Sequence, residues 1–582
     1  MKFAALALDY DGTIAIDGAL DPAVRAAIGD LRRRGVVVIL VTGRRLDDLR
    51  RVAGDISCFD VIVAENGAVL DFPASGRHIV VGHAPPPVFL KELTRCAIPF
   101  SAGESIVESD AARAAAILDV IHALEQPLML AFNRSRVMAL PQSIGKSTGL
   151  RHALQALRLS VHNTVGIGDA ENDHDLLDAC EVGVAVAWGS AALRAAADEV
   201  ISGTGPAAVA DYLRRVATQP RLSAAQMGRR HVTLGRQYDG IDVSLAVRGR
   251  TVLVAGEPGS GKSWLAGLLC EQLILQGYCL CIIDPEGDYQ TLEALPGVVT
   301  LGGDDPPPTA RELARALRHA DASVIVNLSK VPHQDKCEYL RMLLPMLVAL
   351  RRTSGLPHKI LLDEAHHFLH DADVSRQIDL DLAGYIFVTY RISSLPAPVR
   401  QITDAVVLVT RETDPDESQT LLAMCRPAEG VSTSVFQDLG PLDAALLPGA
   451  EEAHGQVRRF RLAPRLTAHV RHRTKYLDMP VAESQAFVFT NDGRPGPRAR
   501  TLKEFIGFLA AMPAERLGGH LRRHDFSRWV EDVFRDRALA GHLRKVETSA
   551  PFDNLRDAGD AIAQAIRARY ETPLDDAGLS VH

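Results

Sequence analysis

Apolar residues along this chain come in short, bounded runs of strand length, and run after run ends in acidic, glycine-rich or hydroxyl-bearing residues. Residues 3–8 close in Asp9-Tyr10-Asp11-Gly12-Thr13, residues 36–41 in Thr42-Gly43-Arg44, and Val165-Gly166-Ile167 in Gly168-Asp169-Ala170-Glu171-Asn172-Asp173. Between the first two runs, residues 22–34 have helical spacing. Strand, helix, strand predicts a parallel sheet whose site lies beyond the carboxyl ends of its strands. A second series follows at residues 251–255, 278–283, 323–328, 359–362, 384–389 and 405–410, interleaved with helices such as 336–351. It predicts a second, mainly parallel sheet. After residues 487–490 and the turn Asn491-Asp492-Gly493, the apolar period becomes helical at 502–509, 513–522 and 526–534, with Trp529 and Phe534 read as core.

These patterns divide the chain into residues 1–218, 231–480 and 485–582, with a polar linker at 221–230. Its 582 residues are too many for one core. About a hundred residues separate Thr42 from Lys146, more than a crossover needs, so an inserted α/β cap is expected at about 83–141. Within it, 105–108, 128–132 and 137–140 read as strands, and 88–97 and 111–124 as helices. Residues 60–69 read as a hairpin, and Asn133, Arg134 and Arg136 as solvated or substrate-facing.

Composition narrows the setting. A 47% hydrophobic, 23% charged chain of net charge −8 reads as globular protein, and any nucleic-acid surface must be local. The eight cysteines are scattered in apolar runs, as in a cytoplasmic protein with reduced thiols. No signal peptide is expected, and no apolar run is long enough to cross a bilayer.

The chemistry lies in the run endings. Asp9 and Asp11 are two apart on a strand and so share a face at the sheet's carboxyl edge, where they need a cation or a proton. Gly256-Glu257-Pro258-Gly259-Ser260-Gly261-Lys262-Ser263, between a strand and a helix, is a P-loop. Its backbone N–H groups and helix N-terminus would cradle the phosphates of ATP, Lys262 would reach the outer phosphates, and Ser263 would ligate Mg²⁺. The strand at 359–362 ends in Asp363-Glu364-Ala365-His366-His367. Asp363 would hold Mg²⁺ through water and Glu364 would polarise the attacking water. A zinc site on the neighbouring histidines is set aside because adjacent strand residues point apart.

The first-half motifs, with Lys146, resemble those of the haloacid-dehalogenase (HAD) phosphohydrolases, in the capped, Cof-like subgroup that includes sugar-phosphate and phosphoglycolate phosphatases. The resemblance implies that Asp9 takes the phosphoryl group as an aspartyl phosphate and that Asp11 serves as acid and then base. It implies that Thr42 and Lys146 hold the phosphoryl oxygens, and that Asp9, Asp11, Asp169 and Asp173 supply the Mg²⁺ site. The implied substrate is a small phosphorylated metabolite. The second half, with Asp284-Pro285-Glu286-Gly287-Asp288-Tyr289, resembles the HerA and FtsK class of RecA-like ATPases. That implies a homo-oligomeric ring, such as a hexamer, with DNA as a partner. The sensor strand departs from the pattern, ending Thr389-Tyr390-Arg391 where that class commonly has glutamine. Arg391 and Arg411 are candidates to stabilise transition-state charge, and the basic residues at 458–475 to meet phosphates. The fold expectation is thus a Rossmann-like HAD domain with an α/β cap, a RecA-like P-loop domain and a helical module. Two other readings fit the same motifs: a nucleic-acid end-processing kinase-phosphatase, and a phosphatase regulated by a nucleotide-binding scaffold.

Overall fold

The computed structural model describes residues 3–216, 218, 230–257, 260–369, 377–409, 415–424, 439–440, 442–447, 457–468, 477, 481, 483–491, 494–534, 536–549 and 555–570. Pro258, Gly259 and Arg411, and the basic residues at 469–476, lie outside them.

Strand Ala5–Asp9 is buried throughout and sits inside an eight-stranded sheet, between Thr164–Gly168 and Val37–Val41, both parallel to it. Helices Pro22–Arg33 and Gly205–Val216 pack on one face through Val24, Ile28, Val209 and Leu213. Helices Lys146–Ala156 and His174–Ala179 pack on the other through Leu150, Leu154 and Leu176. Apolar residues on both faces of a strand are what such double cover requires. Strand Val61–Ala64 joins in parallel, and its hairpin partner Val69–Phe72 and then Arg77–Val80 finish that edge antiparallel.

In chain order, between Arg77–Val80 and Thr164–Gly168, comes a separate four-stranded antiparallel sheet of Leu128–Asn133, Arg136–Pro141, Val107–Asp110 and Ser101–Ala102. Helices Pro87–Arg95 and Ala114–Ala123 cover it through Phe89, Leu93, Ile117 and Ile121. Glu65 ties it to the main sheet: its buried carboxylate accepts the backbone N–H groups of Glu104 at 2.9 Å, Ser105 at 2.8 Å and Ile106 at 3.3 Å. Burial pushes this carboxyl up, and those donors oppose the push.

One close approach sets the position of Lys146. Gly67, at φ 106°, lies against the first turn of helix Lys146–Ala156, where a Cβ on Gly149 would sit 2.5 Å from the Gly67 Cα. Two glycines let hairpin and helix touch backbone to backbone.

The second sheet has eleven strands, in the order Asp242–Ala246, His231–Arg236, Arg458–Leu462, Asp443–Leu446, Ala405–Leu408, Val252–Ala255, Tyr385–Thr389, Lys359–Leu362, Leu280–Asp284, Ser323–Asn327 and Val298–Gly302. From Ala405–Leu408 onward all neighbours are parallel. The six expected strands are all present, and the sensor strand Tyr385–Thr389 lies between the P-loop strand and Lys359–Leu362. The remaining module packs hairpin Phe487–Asn491/Arg494–Ala499 on helices Leu502–Ala511, Ala514–Arg522, Arg537–Ser549 and Leu555–Tyr570, with Phe489, Phe505, Phe526 and Trp529 in its core. Among the described residues no helix is long and apolar enough to cross a membrane.

The two large sheets dock through the amino ends of their strands. His162, Glu181 and Asp198 precede strands of the first sheet; Arg248, Tyr278 and His358 precede strands of the second. Glu181 is fully buried. It accepts from the Tyr278 hydroxyl at 3.1 Å, shares a 2.8 Å hydrogen bond with His162 Nδ1, and lies 3.5 Å from the Arg248 guanidinium, which also meets Asp198 at 3.2 Å. His162 stacks on Tyr278 at 3.9 Å, and its Nε2 meets the Gln276 carbonyl at 2.9 Å. The carboxyl edges, where both sets of motif residues lie, therefore face away from each other.

Substitutions at Glu181, at a surface ion pair and at Gly149 separate the buried contacts from the exposed ones. Burial pushes the Glu181 carboxyl up, but His162, Arg248 and Arg230 outweigh it and hold it at about 2, below its ordinary 4.5. A depressed carboxyl contributes stability that is full above its unfolded value and is lost as pH falls toward about 2. Glu181→Ala strips Arg248 of a buried counter-charge and should cost about 3–5 kcal/mol in denaturant titrations at neutral pH, with the gap to wild type shrinking below pH 4.5. Breaking the exposed Arg214–Asp211 pair should change little. Gly149→Ala should destabilise by about 1–3 kcal/mol and displace Lys146, measurable as a lowered melting midpoint.

Candidate active sites

At the carboxyl edge of the first sheet two strand ends and one helix start converge. Asp9 ends its strand, Asp169 and Asp173 follow Thr164–Gly168, and Lys146 opens helix Lys146–Ala156. One carboxylate oxygen from each of Asp9, Asp169 and Asp173 lies within 4.8 Å of the others, all buried. The Lys146 ammonium donates to Asp9 Oδ1 and to Asp173 Oδ1, each at 2.5 Å. Asp173 Oδ2 accepts the backbone N–H groups of Asp169 and Ala170 at 3.0 Å, so its carboxylate is fixed from both sides. Burial and the Asp173 charge push the Asp9 carboxyl well up, while Lys146 pulls it down. Asp169 is raised by burial and by Asp173, opposed by Arg134. Three carboxylates against one ammonium leave an excess of negative charge that a divalent cation fits, and the all-oxygen donor set suits Mg²⁺.

Asp11 stands apart from this cluster. Its carboxylate takes a two-point hydrogen bond from Arg44, at 2.6 Å from Nε and 2.8 Å from Nη2, and opens on a cavity of about 820 Å³. Thr42 is buried at the next strand end, its hydroxyl accepting the Arg44 N–H at 3.1 Å. Two contacts went unassigned from the sequence. The Thr13 hydroxyl lies between Asp9 Oδ2, at 3.2 Å, and Asp169 Oδ1, at 3.1 Å. Arg134, at the turn between Leu128–Asn133 and Arg136–Pro141 and at φ 53°, reaches from the inserted sheet to Asp169 Oδ2.

The second site is built at the opposite edge. Gly261, at φ 107°, precedes helix Lys262–Leu275, and the Lys262 ammonium donates to the Glu257 carbonyl at 2.8 Å. The Ser260 hydroxyl donates to that carbonyl at 2.7 Å. Gly256 passes so close to the Val409 carbonyl that a Cβ there would collide with it. Ser263 donates to Asp288 at 3.0 Å, giving a partner to a residue that had no role in the sequence reading. Asp284 accepts N–H groups from Gly287, Asp288 and Tyr289 at 2.7–3.0 Å and so shapes the turn that carries Asp288. Burial and Asp288 push its carboxyl up to about 6.

Asp363 is fully buried and accepts the Glu364 N–H at 3.0 Å. The strand has ended at Leu362; Glu364 sits at φ 49°, and Ala365–Phe368 make a helical turn. That turn gathers what strand geometry would separate: one donor atom each from Glu364, His366 and His367 lies within 4.8 Å of the others. The reason given above for excluding a metal there therefore fails, but another replaces it. The Lys262 and Arg391 charges both act on His366 and oppose a further cation. Arg391 lies with its guanidinium carbon 5.3 Å from the Tyr390 ring centroid. Arg465, in the basic stretch, is buried on Glu271 at 2.8 Å and is structural. The helical module also touches this edge: Arg569 meets Glu257 of the P-loop at 3.4 Å and Asp536 at 3.0 Å.

Comparison with known proteins agrees with this division. Residues 6–99 and 104–213 match the family model of haloacid dehalogenase-like hydrolases, and residues 232–346 match that of the helicase HerA central domain. A phosphoglycolate phosphatase of Methanosarcina acetivorans is 26% identical over 220 residues, covering 34% of this chain and 90% of that protein. A haloacid dehalogenase-like hydrolase from Bacteroides thetaiotaomicron aligns with 16% identity and a TM-score of 0.33 over 37% of this chain and 100% of its own. Another from B. subtilis aligns with 15% identity and a TM-score of 0.32 over 36% of this chain and 99% of its own. The chain is thus an enzyme in which a segment similar to haloacid dehalogenase-like hydrolases, at residues 6–99 and 104–213, is followed by one similar to the HerA central domain, at residues 232–346.

Proposed function

We propose that the protein is a bifunctional hydrolase: a Mg²⁺-dependent phosphatase of small phosphate monoesters at one edge and an ATPase at the other. The convergence of Asp9, Asp169, Asp173 and Lys146 carries the first half. Asp9 attacks phosphorus, the ester bond breaks, and Asp11 gives its proton to the leaving oxygen. Asp11 then takes a proton from the water that opens the aspartyl phosphate. Lys146 and Thr42 steady the phosphoryl oxygens. Mg²⁺, held by Asp9, Asp169 and Asp173, would neutralise the charge between carboxylate and phosphate. Arg44 holds the Asp11 carboxylate by two hydrogen bonds, so the first step requires substrate to displace that contact.

The cavity beside Asp11 is lined by Arg44 and Arg134 as well as by acids. Arg134 leaves Asp169 once a metal takes that charge and meets a second anionic group on the substrate. A compound bearing phosphate and carboxylate fits this, in keeping with the phosphoglycolate phosphatase likeness.

At the second edge Lys262 and Ser263 hold ATP and its Mg²⁺ with Asp363, and Glu364 orients the water that attacks the γ-phosphate. The HerA likeness extends this reading to a ring of copies acting on DNA, in a protein of the cytoplasm. The exposed Arg461 of strand Arg458–Leu462 offers one cation to phosphates.

Asp9→Asn should lower phosphatase turnover by about a thousandfold or more while leaving ATP hydrolysis intact. Lys262→Ala should do the reverse, by about a hundredfold or more, in assays of phosphate release from p-nitrophenyl phosphate and from ATP. Loss of both activities in either folded variant would contradict the division. Arg134→Ala should raise KM about tenfold for phosphoglycolate and far less for p-nitrophenyl phosphate, which carries no second anion.

A further inference from the structure

The sensor strand lacks the glutamine expected at its end, and another pair of side chains occupies that position. Thr389, the last residue of Tyr385–Thr389, is fully buried and pairs in register with Ala255, the residue just before the P-loop. Its hydroxyl lies 3.1 Å from His366 Nδ1, accepts the Arg391 N–H at 3.1 Å, and lies 3.0 Å from the Arg391 carbonyl. The sensor strand is thus joined through one hydroxyl to the turn that carries Glu364.

His366 has a second nitrogen to account for. The residue is 7% exposed, and its Nε2 is buried with no hydrogen-bond partner. An orphaned buried ring nitrogen costs free energy unless a ligand satisfies it. The ring is held in place by Tyr390, edge-on at 4.3 Å, and by His367, tilted at 3.9 Å. Burial, His367, Lys262 and Arg391 keep it neutral against the pull of Glu364. The Lys262 and Arg391 charges make its surroundings attractive to an anion.

A neutral imidazole has one ring proton, and Thr389 has one hydroxyl proton. If the hydroxyl donates to the Arg391 carbonyl, Nδ1 carries the ring proton and Nε2 presents a lone pair. If the hydroxyl donates to Nδ1, Nε2 carries the proton and is a donor. The two arrangements hold the same number of protons, and only the second suits an anionic oxygen. An anion at Nε2 therefore turns the Thr389 hydroxyl away from the Arg391 carbonyl.

We propose that His366 Nε2 contacts the γ-phosphate of ATP, or the phosphate freed from it, and that Thr389 is the positioning residue that passes this contact to the backbone at Arg391. The pair takes the place of the missing glutamine amide. This rests on the reading of the second edge as an ATP site.

The test is equilibrium binding of ATPγS and of ADP, with Mg²⁺, to the full chain. Wild type should favour ATPγS. His366→Ala and Thr389→Val should each lose about tenfold of that preference while affinity for ADP moves far less. Thr389→Ser, which keeps the hydroxyl, should restore what Thr389→Val loses. Should His366→Ala not fold, the two Thr389 variants read the same link with the histidine in place. An unchanged ATPγS-to-ADP ratio in folded His366→Ala, or a Thr389→Val protein equal to wild type, overturns the proposal and leaves the ATP site standing. Wild-type protein that binds neither nucleotide overturns the ATP site itself, and the proposal with it.

Discussion

Carboxylates packed into contact repel, by about 4 kcal/mol for a pair 4 Å apart at the dielectric typical of protein. One carboxylate oxygen from each of Asp9, Asp169 and Asp173, all buried, lies within 4.8 Å of the others, and the Lys146 ammonium is shared between Asp9 and Asp173. The rest of the first half can be understood as the apparatus that brings Lys146 there. Apolar strands set the depth of Asp9 and Asp169, and backbone contact at Gly67 and Gly149 sets the start of the lysine's helix. Arg134 then arrives from the inserted sheet and neutralises part of what is left, which places that sheet and the carboxylate cluster in one electrostatic unit. The same logic recurs at the other edge. There Lys262 stands at a helix start, and its charge and that of Arg391 both act on His366, in keeping with an anionic phosphate beside that ring.

Docking the two sheets by their amino ends has a consequence for how the halves could influence each other. No product can pass directly between sites that open in opposite directions. Any influence has to run along strands and through the buried contacts around Glu181, where His162 and Tyr278 stack and Arg248 bridges to Asp198. The helical module touches the P-loop separately, through Arg569 on Glu257, and Tyr570 shares Asp536 with Arg569.

Much of this was legible in the sequence because parallel strands buried on both faces read as unbroken apolar runs, and because active groups collect where such runs stop. The candidate residues Asp9, Thr42, Asp169 and Asp363 stand at such run ends. What escaped depends on contacts between distant segments or on turns that break the local period. Glu364 and His366 were misjudged as strand neighbours because nothing local announces the left-handed turn at Glu364. Strand Arg494–Ala499 was missed because its Pro495, Gly496 and Pro497 disguise it as loop. Arg134 and Arg569 look like solvated surface until the fold brings Asp169 and Glu257 to them. The resemblance counts Asp11 among the metal ligands, whereas in the fold its carboxylate is turned toward Arg44.

The central claim is that Asp9 itself, rather than water, attacks phosphorus at the first edge. It is tested most directly by quenching the protein in acid during turnover of a small phosphate monoester and locating any covalent phosphate by peptide mass spectrometry. The account predicts a phosphoryl group on the side chain of Asp9. Steady turnover with that residue never modified, or with the adduct on Asp11, would contradict it.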